Sequence, residues 1–399
     1  MQKRSAGTRS RQRRKADFYD YNLLAVVIIL ICFGLVMLYS ASSYEAATKI
    51  GDDMYYFRRQ ALISLGAVVI ALLISRVDYH RLLKLSPYLF GLSFILMAMV
   101  KYTGFGVEAG GARRWLNLGI QFQPSEIAKI AVILFLSYII LKMGKRLNSR
   151  KAVLFLLLLG GIQAFGAYYF TDNLSTALII LGIACVMIFL AHPKTRPFLI
   201  GVVLICLVVG IGIFYLSQNI SNSSHFRIRR VLAWLDPEKY SAIGGYQVLQ
   251  GLYAIGSGGL FGKGLGNSTQ KLATIPEAQN DMIFSIICEE LGLFGAILVL
   301  LLFGYLLYRL FFIAQNAPDL YGTLIVSGIF VHISLQVILN ICVVLNVIPT
   351  TGVTLPFVSY GGTSVLFLMA EMGIALSVSR RIRFQDETVP VSGKSTESI

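Results

Sequence analysis

Asp281 stands where the polar run Ile275-Pro-Glu-Ala-Gln-Asn-Asp281 meets a long apolar stretch. A carboxylate at such a boundary can cap a helix and favour its dipole. It can also serve as a general base, because an unperturbed Asp titrates near ~3.9 and is ready to take a proton at neutral pH. Glu289 and Glu290 follow about two turns deeper. At about 100° per residue, Glu289 falls roughly 80° from Asp281 and Glu290 on the opposite side, so at most one of them can share a cleft with Asp281.

Two further groups carry charge where lipid or its headgroups are expected. In Phe122-Gln-Pro-Ser-Glu-Ile-Ala-Lys129, Pro124 suits a first helical turn and Glu126 and Lys129 share one helix face. A charge at the bilayer centre costs on the order of 2.5–3.5 kcal/mol on insertion scales, so the pair is either a local ion pair that steadies the helix end or the floor of a charged pocket, where Lys129 meets a phosphate. Arg113 and Arg114, followed by Trp115, offer guanidinium forks that match pyrophosphate oxygens, or equally a contact with lipid headgroups. Glu371 and His332 are further candidates inside apolar runs, a lone His being more often hydrogen-bonded structure than a ligand.

Two glycine-rich segments complete the set. The run Ala254–Gly266 can bring its backbone close to a ligand and offer N–H groups to an anion, although it lacks the Gly-Lys-Ser/Thr spacing of a nucleotide-binding loop. The connector Asn346–Ser364, with its prolines and glycines, prescribes a fixed re-entrant turn or an ordinary rigid loop.

The elements that position these residues follow from composition. Of the 399 residues 56% are hydrophobic and only 14% charged, against about 25% charged in soluble domains. Ten apolar stretches are candidate transmembrane helices: 23–39, 61–74, 88–100, 127–141, 153–170, 174–190, 198–216, 282–308, 324–347 and 364–378. Their continuous rather than alternating apolarity disfavours a β-barrel. The fold class expected is therefore an all-α polytopic membrane protein with a large extracytoplasmic loop between the seventh and eighth helices.

Lys and Arg near the ends of the spans set the orientation. With the N-terminus in the cytoplasm, Arg76, Arg81, Lys84, Lys142, Lys145, Arg146, Arg150, Lys151, Lys194, Arg196, Arg309, Arg380, Arg381 and Arg383 all lie inside, and only Lys49, Arg58, Arg59, Lys101, Arg113 and Arg114 lie in short outer segments. Both termini are then cytoplasmic. Residues 1–20 form a basic tail on anionic lipid, 21–383 the ten-helix membrane domain with its outer loop at 217–281, and 384–399 a second tail. The first apolar stretch is too long for the core of a cleaved signal peptide. The formal charge of +15 is spread over loop ends rather than clustered, which disfavours nucleic acid as a partner. The five cysteines fall inside apolar runs without metal-binding spacing and read as packing residues.

The segments FQPSEIAK, AIGSGGLFGKGLGNSTQK, IPEAQNDMIFSIICEELGLFG and LPFVSYGGTS resemble the hallmarks of the SEDS family, the group of RodA, FtsW and SpoVE. The likeness runs from the first helix to the tenth, and GLGNSTQK and IPTTGVTLPFVSYGG look closer to the FtsW and SpoVE branch. The resemblance implies an inverting peptidoglycan glycosyltransferase that uses lipid II, working in cell division or sporulation. The glycan on undecaprenyl pyrophosphate is the donor and the 4-hydroxyl of an incoming lipid II the acceptor. It puts the family's essential aspartate on Asp281 and its membrane Glu and Lys on Glu126 and Lys129. Arg113, Arg114, Lys263, Lys271 and Glu277 join Glu126 and Lys129 as expected substrate-binding residues. A divalent cation, Mg2+ or Mn2+, is implied to help the pyrophosphate leave, with its ligands unassigned. The implied partners are a class B penicillin-binding protein and other division membrane proteins. The chain departs from the family pattern at Gln279 and Asn280, and at Asn173, which stands at the family's Asp position one residue after Asp172. A lipid II flippase and a non-catalytic scaffold are the alternatives. A flippase would need charge midway along the helices, and a scaffold would tolerate loss of Asp281.

Overall fold

The computed structural model describes residues 18–109, 112–219, 226–272, 275 and 278–383. Every apolar stretch marked in the sequence is a helix. These are α1 (Tyr21–Lys49), α2 (Tyr55–Arg76), α3 (His80–Tyr102), α4 (Pro124–Met143), α5 (Arg150–Phe170), α6 (Leu174–Ala191) and α7 (Arg196–Asn219), then α10 (Ile283–Asn316), α11 (Leu320–Val344) and α12 (Ser364–Ser379). Among the described residues nine of them are long and apolar enough to cross a membrane, and α12 is apolar with 16 residues. The chain is a polytopic helical membrane protein. Two shorter helices, α8 (Phe226–Leu235) and α9 (Gly245–Gly258), lie between α7 and α10.

Helix starts follow local chemistry. Asp20, Ser149, Asn173 and Asp319 each accept a backbone N–H from the first turn of α1, α5, α6 and α11, which satisfies a donor the helix cannot. Pro124 opens α4, where its missing N–H costs nothing. One end of the bundle is tied by Arg309, which grips the buried Asp20 carboxylate through Nε and Nη2, the latter at 2.7 Å. The lipid-facing side is visible in α7, whose apolar span has no buried residue. In water that would be costly, but lipid tails are as apolar as the side chains they meet.

The α3–α4 connection, expected as a plain loop, contains a small antiparallel sheet: β1 (Gly106–Ala109), β2 (Ala112–Asn117) and β3 (Gln121–Phe122), in the order β1-β2-β3. Side chains alternate along a strand, so Arg113 and Arg114 take opposite faces.

α10 is broken at Gly292, which sits at φ 66° and ψ −161°. The break strands carbonyls on one side and N–H groups on the other, and the glycine-rich loop after α9 satisfies both. The N–H groups of Lys263 and Gly264 donate to the Glu289 and Glu290 carbonyls at 2.9 Å each, and Leu293 N–H donates to Gly259 O at 3.0 Å. This needs backbones in close approach: a Cβ on Gly258 would lie 2.0 Å from the Cys288 carbonyl oxygen. Gly258→Ala is expected to destabilise the protein by about 3 kcal/mol, the upper end for overpacking because the obstacle is backbone. A thermal melt in detergent checks this, and an unchanged midpoint would contradict the close contact.

Candidate active site

A cavity of about 590 Å³ opens where α10 and α12 begin. Its lining joins Asp281 to Arg114, Arg230, Gln247, Glu126, Lys129 and Gln336, with Arg59, Asn173 and Tyr360 on its walls. These side chains come from α2, the β-sheet, α4, the α5–α6 turn, α8, α9, α11, the α11–α12 connector and the segment entering α10.

The connector between α11 and α12 builds one wall, and its carbonyls are held from several directions. Arg230 donates to Thr350 O at 3.1 Å and Ser175 Oγ to Thr351 O at 2.6 Å. Asn340 donates to Val353 O at 2.8 Å and Gln336 to Thr354 O at 3.1 Å. Trp234 Nε1 donates to Asn346 O at 3.0 Å. Each bond satisfies a carbonyl that irregular backbone would otherwise leave bare at membrane depth. This is the fixed turn that the prolines and glycines prescribe.

Asp281 lies just before α10 and is half-buried. Asn340 Nδ2 donates to its backbone carbonyl at 2.8 Å, and Gln247 Nε2 to its Oδ1 at 3.2 Å. The carboxylate is thus aimed into the cavity by one bond to its backbone and one to its side chain. Deeper in, Lys129 Nζ lies 2.8 Å from Glu126 Oε1 and 3.5 Å from Gln336 Oε1, with Lys129 only 2% exposed. The pair that the spacing put on one face of α4 is therefore both an ion pair and part of the cavity floor.

Burial pulls the Arg230 guanidinium below its ordinary range; the charge of Arg114 acts in the same direction, and Asp281 opposes it. Burial likewise lowers Arg114, with Asp172 opposing. Guanidinium stays charged at neutral pH even so. Two half-buried cations held near each other favour an anion between them, and forked N–H donors suit the oxygens of a diphosphate. The Nε of Arg114 is buried without a hydrogen-bond partner.

The remaining expected residues lie elsewhere. Arg113 faces away from the cavity and donates to Gly106 O at 3.2 Å and Thr103 O at 2.9 Å, which pins the sheet to the end of α3. Lys263 and Lys271 do not line the cavity. Lys263 Nζ pairs with Glu289 at 2.6 Å and Lys271 Nζ with Glu290 at 2.8 Å, both carboxylates being fully buried. The N–H groups of the glycine-rich run go to carbonyls of α10, and those just beyond it meet an anion that is the chain's own: Thr269 N and Gln270 N donate to Glu289 at 3.1 and 3.3 Å. So the loop is fastened to α10, and neither Glu289 nor Glu290 shares the cleft with Asp281. Glu277 lies outside the described residues. His332 and Glu371 form a buried pair at 2.8 Å that the cavity lining does not include. Asn173 lines the cavity and caps α6, whereas Asp172 is exposed at φ 45°.

Sequence reasoning missed Arg230, Gln247, Gln336 and Asn340. For the last two a signal existed: His332, Gln336 and Asn340 recur every four residues in an otherwise apolar run, which is a polar stripe on one helix face.

Residues 20–383 match the FtsW, RodA and SpoVE family, described as a cell cycle protein. The chain is 38% identical over 368 residues to the stage V sporulation protein E of Bacillus subtilis (strain 168), covering 92% of this chain and 98% of that one. It is 37% identical over 373 residues to a probable peptidoglycan glycosyltransferase FtsW of Geobacter sp. (strain M18), covering 93% and 99%. A chain solved in work on the structural coordination of polymerization and crosslinking by a peptidoglycan synthase complex superposes with a TM-score of 0.75 at 30% identity, covering 92% of this chain and 99% of that one. The rod shape determining protein RodA of Thermus thermophilus superposes with a TM-score of 0.64 at 29% identity, covering 92% and 98%.

Proposed function

Because this chain belongs to the FtsW, RodA and SpoVE family, we propose that it is a peptidoglycan glycosyltransferase that polymerises lipid II, with Asp281 as general base. The observation that carries the assignment of roles is the meeting of the oriented Asp281 carboxylate, the guanidinium groups of Arg114 and Arg230 and the buried Lys129 ammonium in a single cavity. Asp281 takes the proton of the acceptor sugar's 4-hydroxyl as that oxygen attacks C1 of the donor sugar. The bond from C1 to the lipid diphosphate breaks on the opposite face, so configuration inverts. Arg114 and Arg230 receive the negative charge that develops on the departing diphosphate. Lys129, at the floor, meets an oxygen of the bound lipid-linked sugar phosphate.

A divalent cation fits this donor set only together with substrate. No group of three His, Cys, Asp or Glu side chains forms a metal cage among the described residues. Mg2+ binds through one or two carboxylates plus substrate phosphates, and Asp281 supplies one carboxylate beside the diphosphate position. Bound there, the cation would stabilise the leaving charge.

The Lys and Arg bias supports a cavity on the outer face of the bacterial cytoplasmic membrane, with both termini in the cytoplasm. Likeness to a chain of a peptidoglycan synthase complex supports a class B penicillin-binding protein as partner, and FtsW relatives support a place in cell division. A flippase would need charge along a path through the bilayer, yet the cavity lining stops short of His332 and Glu371.

The test is purified protein with its penicillin-binding partner and lipid II. Glycan strands are expected with Mg2+ or Mn2+ present and a loss of them after chelation. Lipid II crossing vesicle membranes without any polymer would reverse the assignment in favour of the flippase.

A further inference from the structure

Arg76, Arg380, Arg381 and Arg383 converge on a second cavity, of about 650 Å³, which the proposed glycan chemistry does not use. It lies at the far ends of α10 and α12, where Asn316 and Arg380 line it, and so on the membrane face opposite Asp281. It is framed by the end of α2, the start of α3, the α10–α11 turn and the segment after α12.

The cavity's negative charge is already engaged. Asp319, the one carboxylate lining it among the described residues, caps α11 through Gly322 N at 2.7 Å, accepts the Tyr79 hydroxyl and lies 2.9 Å from His80 Nε2. Asp78 is shared between His80 Nδ1 and Arg381 Nη2, each at 2.8 Å. Burial would raise both carboxyls, yet these partners hold both below the usual range, so they are anions whose charge is met locally. Arg76, Arg380 and Arg383 make no ion pair with another described residue. The cavity therefore has a surplus of guanidinium groups converging on one space.

Arginines on this face also follow from the rule that sets orientation. That rule scatters them around the rim, whereas here two separate segments deliver them to one hollow between helix ends. Apolar surface adjoins it: Val77 lines the cavity and is 42% exposed, and Leu320, next to Asp319, is 53% exposed. A free anion has no use for such a wall, but a lipid tail does.

We propose that this cavity binds the headgroup of an anionic phospholipid, its phosphodiester taken by Arg76, Arg380 and Arg383 and its acyl chains lying along the apolar surface at Val77 and Leu320. Basic pockets between transmembrane helices are recognised sites for such headgroups.

The test is native mass spectrometry of the full chain in detergent, titrated with cardiolipin, phosphatidylglycerol or phosphatidylcholine. Retention of the anionic lipids over phosphatidylcholine is expected. Each Arg→Gln change at positions 76, 380 and 383 should weaken retention about fivefold, and the triple variant on the order of 100-fold. Arg381 is left in place because it holds Asp78. A melting curve checks the fold, and a triple Arg→Lys variant, which keeps the charge, should keep most of the retention if the Gln variant is unstable. Equal retention of phosphatidylcholine, or undiminished retention by the folded Gln variant, would overturn the proposal. So would displacement of the lipid by millimolar inorganic phosphate, which would mean a free-anion site, or by an acidic peptide, which would mean a protein contact.

Discussion

Asp281→Asn will stop glycan synthesis while leaving the fold intact. The substitution keeps shape and volume, and the new amide oxygen can still accept from Gln247, which donates to Asp281 Oδ1 at 3.2 Å. The bond from Asn340 goes to the backbone carbonyl and survives any side chain. What is lost is the ability to take a proton. General-base catalysis contributes about 10²- to 10⁴-fold, and loss of the carboxylate also removes an anionic ligand from a cation at the diphosphate. The polymerisation rate from lipid II should therefore fall by about 10³-fold or more, with an unchanged melting temperature in detergent. Polymer formed at the native rate by this variant would exclude Asp281 as base and return the scaffold reading to consideration. The partner must be the same in both assays, since a difference in complex formation would imitate a loss of chemistry.

What could be read from the sequence, and what could not, divides on physical lines. The ten spans were legible because lipid demands continuous apolar runs, and such runs need no knowledge of neighbours. Asp281, Glu126 and Lys129 were legible because ionised groups at the edge of or within such runs are costly and so stand out. Arg230 and Gln247 were not, since they reach the cavity only through the packing of α8 and α9 under the connector. The sheet between α3 and α4 was missed because its strands are four, six and two residues long, too short for a periodic pattern. Lys263 and Lys271 were expected to bind substrate because their partners cannot be read from the sequence around them. Those partners are Glu289 and Glu290, 26 and 19 residues on in sequence, and the helical wheel that separated the two glutamates could not foresee a loop packed against both. Adjacent Arg113 and Arg114 looked equivalent in sequence, and only the strand geometry divides them into a fastening residue and a cavity residue.

Lys129→Met is the second change with a large expected effect, and it separates support of the fold from chemistry. The ammonium lies 2.8 Å from Glu126 and both side chains are nearly buried, 2% and 9% exposed. Breaking a buried pair by removing one partner costs about 3–5 kcal/mol, because the other charge is left uncompensated. The single variant should thus melt well below the native protein and make little polymer. Adding Glu126→Gln removes the stranded carboxylate, so the double variant should regain most of the lost stability. Its activity should not return. An ammonium has three donors, and Lys129 directs one at Glu126 and a long one, 3.5 Å, at Gln336, which leaves donor capacity facing the cavity. Only a cation there can offset the charge of a substrate phosphate, and neither Met nor Gln supplies one. A stable double variant that polymerises lipid II at the native rate would show that the pair serves the helix end alone. The substrate phosphate would then have to be held by Arg114 and Arg230, and the deep end of the cavity would be only a consequence of how α4 packs against α11.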